Sequence, residues 1–92
     1  MLKLDIWPSA VKFPNRLDRK HTGQIALKIL SLLADPKQSD SKLIKGTNIS
    51  LMRADVGEYR ILYHVEGDSL VVPLIGRRND EDVYKKMERM GL

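Results

Sequence analysis

Tyr59-Arg60-Ile61-Leu62-Tyr63-His64-Val65-Glu66-Gly67-Asp68-Ser69-Leu70-Val71-Val72-Pro73-Leu74-Ile75 is the stretch on which the fold turns. Residues Tyr59–Val65 are aromatic or branched, the composition of a strand. Gly67-Asp68 is a two-residue hairpin signal, and Ser69–Ile75 runs back beside the first strand. Pro73 brings no N–H to the ladder, so a bulge or an unpaired position is expected there. Strand alternation sends Tyr59, Ile61, Tyr63 and Val65 to one side, against a helix, and Arg60, Leu62 and His64 to the other.

Working outward, Asn48–Ala54 is a further candidate strand, joined through a turn around Val56-Gly57 to make a three-strand meander. Upstream, Ile25, Ile29, Leu32 and Leu33 fall at helical spacing within Thr22–Ala34, with Thr22 as N-cap and Pro36 as the stop. Pro36–Asn48 is polar and reads as a loop whose Lys42, Lys45 and Gly46 bring positive charge to the sheet. At the N-terminus, Leu2, Leu4 and Ile6 alternate with Lys3 and Asp5 in a short strand over Leu2–Trp7. Pro8 then suits the first position of a helix carrying Ala10, Phe13 and Leu17, and Pro14 should break or kink it. Downstream, Asn79 can cap a last helix with Asp80, Glu81 and Asp82 in its first turn and Lys85, Lys86 and Arg89 later. Met87 and Met90 fit one apolar face of that helix, and Gly91 ends it. The expected order is β-α-α-β-β-β-α. This is an α+β domain over residues 1–92, a curved, mostly antiparallel sheet with two helices on one face.

Composition narrows the function classes. With 92 residues there is room for one domain, and 42% hydrophobic with 30% charged residues is a globular balance. No apolar run approaches a membrane span and no signal-peptide pattern opens the chain, so no membrane partner and a cytoplasmic setting are expected. The absence of cysteine excludes disulfides, thiolate metal sites and a thiol nucleophile. His21 and His64 are the only histidines, and neither has acidic neighbours at ligand spacing, so neither a metal nor another cofactor is expected. The net charge of +4 favours a polyanionic partner.

Where the positive charge sits matters more than its total. Arg60 stands at a strand centre between apolar neighbours, where a guanidinium seeks a carboxylate or a phosphate. A structural ion pair with Asp55 or Glu58 is one reading. The other comes from Arg53 on the preceding strand and Arg77-Arg78 at the end of the following one. Antiparallel neighbours bring such residues within reach of one another, and converging cations call for an anion such as the phosphates of an RNA strand.

Gly57-Glu58-Tyr59-Arg60-Ile61-Leu62-Tyr63, then a hairpin, then Ile75-Gly76-Arg77-Arg78-Asn79-Asp80-Glu81-Asp82-Val83-Tyr84-Lys85 form an ordered set that resembles the RelE/ParE toxin superfamily. Phe13 with Leu17-Asp18, Leu30–Leu33 before Asp35-Pro36, and Leu43-Ile44-Lys45-Gly46 extend the similarity over nearly the whole chain. The resemblance implies a RelE-type toxin that enters the ribosomal A site and cuts mRNA without metal. The 2′-hydroxyl attacks the adjacent phosphate, leaving a 2′,3′-cyclic phosphate and a free 5′-hydroxyl. It also implies a cognate antitoxin that holds the toxin inactive in a hetero-oligomer. By position, Arg60, Arg78, Tyr84 and Arg53 match the family's catalytic residues, while Lys45, Arg77 and His64 are expected RNA contacts.

The chain departs from the pattern at three places, one of them Pro14, where the family's helix is normally continuous. Leu51 stands where well-known members carry a lysine, which leaves the proton acceptor open, and Asp55 replaces a frequent basic residue. His64 shares the Arg60 side by alternation and titrates near neutrality, so it is a candidate base. Two alternatives remain beside the ribonuclease: a ParE-like inhibitor of DNA gyrase, and a basic module that binds RNA or protein without cutting.

Overall fold

The computed structural model describes residues 1–11, 19–38, 40–44, 46, 49–78 and 82–92. In chain order the elements are β1 (Lys3–Ile6), α1 (Pro8–Val11), α2 (Arg19–Ala34), β2 (Lys42–Leu43), β3 (Met52–Val56), β4 (Tyr59–Glu66), β5 (Ser69–Arg77) and α3 (Asp82–Arg89). The expected order holds, with one addition: the polar Pro36–Asn48 stretch is not all loop, because Lys42 and Leu43 pair with Arg53 and Met52.

The five strands lie in the order β1-β5-β4-β3-β2. Every neighbouring pair is antiparallel except β1 with β5, which is parallel. A parallel neighbour needs a long crossover, and here the chain between β1 and β5 supplies it. The β3–β4 and β4–β5 connections are two-residue turns at Gly57-Glu58 and Gly67-Asp68. The first residue of each, Gly67 at φ 60° and Gly57 at φ 58°, is left-handed and the second is not. That is the type II′ pattern, whose twist matches the flanking strands. Between the Leu62–Leu74 and His64–Val71 pairs, Val72 and Pro73 oppose Tyr63 alone, so the bulge expected at Pro73 is present. The Ser9 hydroxyl donates to the Pro73 carbonyl at 2.7 Å and ties α1 to that bulge.

The sheet carries a core on each face. Ala10 of α1 and Ile25, Ile29, Leu32 and Leu33 of α2 pack against Ala54, Tyr59, Ile61, Tyr63, Leu70, Val72 and Ile75. These are the two helices on one face. Helix α3 covers the other, where Leu51, Leu62, Leu74, Val83 and Met87 cluster. Alternation in β4 thus sorts Tyr59, Ile61 and Tyr63 from Leu62 as expected, although Val65, past the helix, is 43% exposed.

Three details differ from the sequence reading. Thr22 is not an N-cap but lies inside α2, which already runs at Arg19. The stripe fixes where the helix is buried, and continuing it by a turn costs little on an exposed face. In β1, Leu4 is exposed while Leu2 and Ile6 pack on the core. Met87 is buried in α3 but Met90 lies beyond its end, exposed. The expected stop at Gly91 is present: Leu92 N–H donates to Met87 O and Gly91 N–H to Glu88 O, while Leu92 packs near Met87. The expected break at Pro14 and the cap at Asn79 lie outside the described residues.

Candidate functional site

The cationic side of the sheet is assembled by register. Asp55 of β3 lies directly opposite Arg60 of β4, which lies opposite Gly76 of β5. Arg53 pairs with Leu62 on its β4 side and with Lys42 on its β2 side. Same-face neighbours on adjacent strands are about 5 Å apart at Cβ, so these charges must meet. Gly76 has no side chain, and α3 sits so close above it that a Cβ there would lie 2.8 Å from the Cβ of Val83. The next residue, Tyr84, is thereby carried to Arg60.

Arg60 is the hub. Its Nε donates to Asp55 Oδ1 at 2.7 Å and its Nη2 to Asp55 Oδ2 at 3.2 Å. Its Nη1 donates to the Tyr84 hydroxyl at 2.5 Å, and the guanidinium carbon lies 6.0 Å from the centroid of that ring. Only 8% of Arg60 is exposed. The planar fork, with three of its five N–H groups engaged, therefore holds a carboxylate and a phenol in fixed relation. The hydrogen bond from Arg60 holds the Asp55 carboxyl below the usual carboxylate range, helped by the charges of Arg53 and Arg78. Asp55 in turn raises Arg60.

A cleft of about 310 Å³ opens beside this hub, lined by Asp40, Lys42, Arg53, Asp55, Arg60 and Arg78. Among the described residues, four cations face two carboxylates there. Asp40 is itself bonded to Lys28 Nζ at 2.7 Å, which holds its carboxyl below the usual range; the charge of Lys28 offsets that carboxylate, so the cleft stays positive. Among the described residues, Lys42, Arg53 and Arg78 have no carboxylate partner. Arg78 is set in place by its backbone, whose N–H donates to Glu58 O at 2.7 Å. A second hollow, lined by Lys42, Leu43, Ile44, Arg53 and Tyr84, shares Lys42 and Arg53 with the first. Phosphate-seeking charge thus adjoins an apolar and aromatic surface suited to a base.

The structure brings together Arg53, Arg60, Arg78 and Tyr84, and does not bring Arg77 or His64 to them. Arg77 pairs with Tyr59, so alternation sets it on the α2 side of the sheet, exposed. His64 shares the Leu62 side but stands four residues from Arg60, about 13 Å along the strand, and does not line the cleft. Lys45 lies outside the described residues. Lys42 and Asp40 were not singled out as site residues from the sequence. The pairing of Lys42 with Arg53 depends on a two-residue strand, too short for any periodicity to reveal.

No protein-family model matches the chain, and neither does any curated protein. Solved structures do. A chain of the archaeal RelE–RelB complex from Pyrococcus horikoshii superposes with a TM-score of 0.72 at 23% identity, over 85% of this chain and 96% of that one. The free E. coli RelE toxin, in a form with two arginines changed to alanine, gives 0.76 at 20% identity over 99% and 98%. The Methanococcus jannaschii RelB–RelE complex gives 0.68 at 24% over 89% and 96%. The fold is that of the RelE toxins. The likeness to that E. coli chain covers 99% of this one, and so takes in β1, the meander and the last helix. Among the described residues, no helix is long and apolar enough to cross a membrane.

Proposed function

We propose that this chain is the toxin of a toxin–antitoxin pair and a metal-independent endoribonuclease that cuts mRNA in the ribosomal A site, in the cytoplasm. The observation that carries this reading is the cleft that gathers Lys42, Arg53 and Arg78 around Arg60, to which Tyr84 is hydrogen-bonded. In-line attack of a 2′-hydroxyl builds negative charge on the phosphoryl oxygens. Fixed guanidinium and ammonium groups stabilise that charge more than the ground state. Arg78 and Arg53, free of carboxylates among the described residues, are the phosphate-facing groups. Of the two roles its strand position suggests, Arg60 takes the ion pair with Asp55 rather than the phosphate contact, and it orients Tyr84. Tyr84 accepts from Arg60, so its own hydrogen is free to point at substrate. The neighbouring Leu43–Ile44–Tyr84 surface would take a base.

The partner follows from the same face. RelE toxins of this fold are known in complex with RelB. An acidic antitoxin segment that folds as it binds would neutralise Lys42, Arg53 and Arg78. Arg77, on the far side of the sheet, would meet only an RNA or antitoxin segment that wraps around the domain, and Lys45 is proposed as a further RNA contact.

A second reading, a basic module that binds without cutting, is favoured by the Asp55 carboxylate on Arg60, which shields that cation from phosphate. Pulsed expression with mapping of mRNA ends separates them. Codon-phased cuts in translated regions, lost in Arg78→Ala, are expected, with the rate falling about a hundredfold or more. Translation arrest that persists unchanged in both Arg60→Ala and Arg78→Ala, without new ends, would establish the binding module. Stalled gyrase and a DNA-damage response would instead establish the ParE-like alternative.

A further inference from the structure

Attack by a 2′-hydroxyl needs a group to take its proton, and the cleft offers few. Lys42, Arg53, Arg60 and Arg78 are donors with no acceptor capacity while protonated. His64 is too far along β4 to serve. Leu51, at the position where the resemblance leads one to expect a lysine, is apolar and fully buried in the cluster under α3. Among the described residues two carboxylates remain, Asp40 and Asp55. Asp40 is engaged by Lys28 at 2.7 Å at the outer wall of the cleft. Asp55 lies at the hub, its side chain 39% exposed. Its Oδ1 takes the short bond from Arg60, and its Oδ2 only the longer one at 3.2 Å. A carboxylate oxygen has two lone-pair positions, so Oδ2 keeps one for a substrate hydroxyl.

We infer that Asp55 is the general base of this enzyme, with Oδ2 accepting the proton of the attacking 2′-hydroxyl while Arg60 holds Asp55 and Tyr84 at a fixed separation. This rests on the ribonuclease reading and names the acceptor it lacks. As the proton passes to Asp55, the O2′–P bond forms and the P–O5′ bond breaks. The departing 5′-oxygen takes the Tyr84 hydroxyl hydrogen. The products are a 2′,3′-cyclic phosphate and a 5′-hydroxyl. Asp55 then returns its proton to water and Tyr84 recovers one, so no net proton or water is consumed. Arg60 is a positioning residue, and its charge steadies Tyr84 as the phenol loses its hydrogen.

The test uses the full chain on ribosomes programmed with a defined mRNA, with single-turnover rates from pH 6 to 8.5. Asp55 is ionised across that range, so the wild-type rate is expected to be nearly flat with pH. In Asp55→Asn the base is gone and hydroxide must replace it. The rate is expected to fall by roughly 10²–10⁴ and to climb about tenfold per pH unit. Asp55→Glu keeps a carboxylate and is expected to recover part of the rate together with the flat profile. A thermal melt of each variant separates loss of fold from loss of base, because only loss of base changes the slope with pH. Asp55→Asn with a wild-type rate, or with a reduced rate and an unchanged flat profile, would overturn the assignment while leaving the ribonuclease reading standing. A wild-type protein that leaves the mRNA uncut would overturn both.

Discussion

Replacing Gly76 with alanine should loosen α3 and, through it, the cleft. Gly76 is in an ordinary extended strand, so alanine suits the backbone and the effect is one of space. The added Cβ would lie 2.8 Å from Val83 Cβ and 3.0 Å from Val83 Cγ2. Carbon pairs rest at roughly 3.5–4.0 Å, so the helix must retreat by about 1 Å. A gap of that size forfeits a quarter to a half of the attraction across the contact. Val83 and Met87 are the α3 side chains buried on the sheet, each contributing roughly 1.5–3 kcal/mol. Their combined loss is then about 1–3 kcal/mol, in line with typical overpacking costs. The smaller conformational freedom of alanine in the unfolded chain returns about 0.4–1 kcal/mol. From the middle of each range, a net destabilisation of about 1.3 kcal/mol lowers Tm by roughly 5–10 °C for a domain of this size. Thermal unfolding by circular dichroism measures the shift directly. Tyr84 follows Val83, so RNA cleavage should fall as well. A Gly76→Ala protein with Tm equal to or above the parent would refute the close docking of α3 and the placement of Tyr84 that depends on it.

Two other expectations follow from the polar network behind the cleft. Tyr63 is fully buried and donates to the Pro36 carbonyl at 2.5 Å, and burial pushes its pKa above the ordinary phenol value. The folded state therefore keeps this proton where the unfolded chain releases it, so stability should fall as pH rises above about 10. Denaturant midpoints between pH 8 and 11 should show that fall, and Tyr63→Phe should remove it while costing about 0.5–1.5 kcal/mol at neutral pH. Lys28 of α2, mostly buried, bonds Gln38 Oε1 at 2.9 Å and Asp40 Oδ2 at 2.7 Å. Lys28→Met should free Asp40 to neutralise Lys42 or Arg53, weakening binding of a single-stranded RNA roughly twofold to fivefold, the scale of a half-exposed ion pair. Asp40→Asn in the same chain should restore the affinity, and a double variant as weak as Lys28→Met alone would show that Asp40 plays no such part.

Local order along the chain was enough for most of the framework. The alternation in Tyr59–Val65, the Gly67-Asp68 turn, Pro73 and the Ile25–Leu33 stripe each act over a few residues, so strand, hairpin, bulge and helix could be read directly. The same alternation separated Arg60 from Tyr59 and Tyr63, and the matching motifs pointed to Arg53, Arg78 and Tyr84. What only the tertiary structure decided was which charge meets which. Whether Arg60 faces a phosphate or Asp55 depends on a single register, because a slip of one residue moves every side chain to the other face. That register sets Asp55 opposite Arg60 and sends Arg77 to the far side. It also takes two bonded residues at the sheet edge to bring Lys42 to Arg53, and a glycine under Val83 to bring Tyr84 to Arg60. Secondary structure follows from neighbours in sequence; the cleft follows from neighbours in space, contributed by Asp40, β2, β3, β4 and the residue just past β5, with α3 bringing Tyr84 to Arg60.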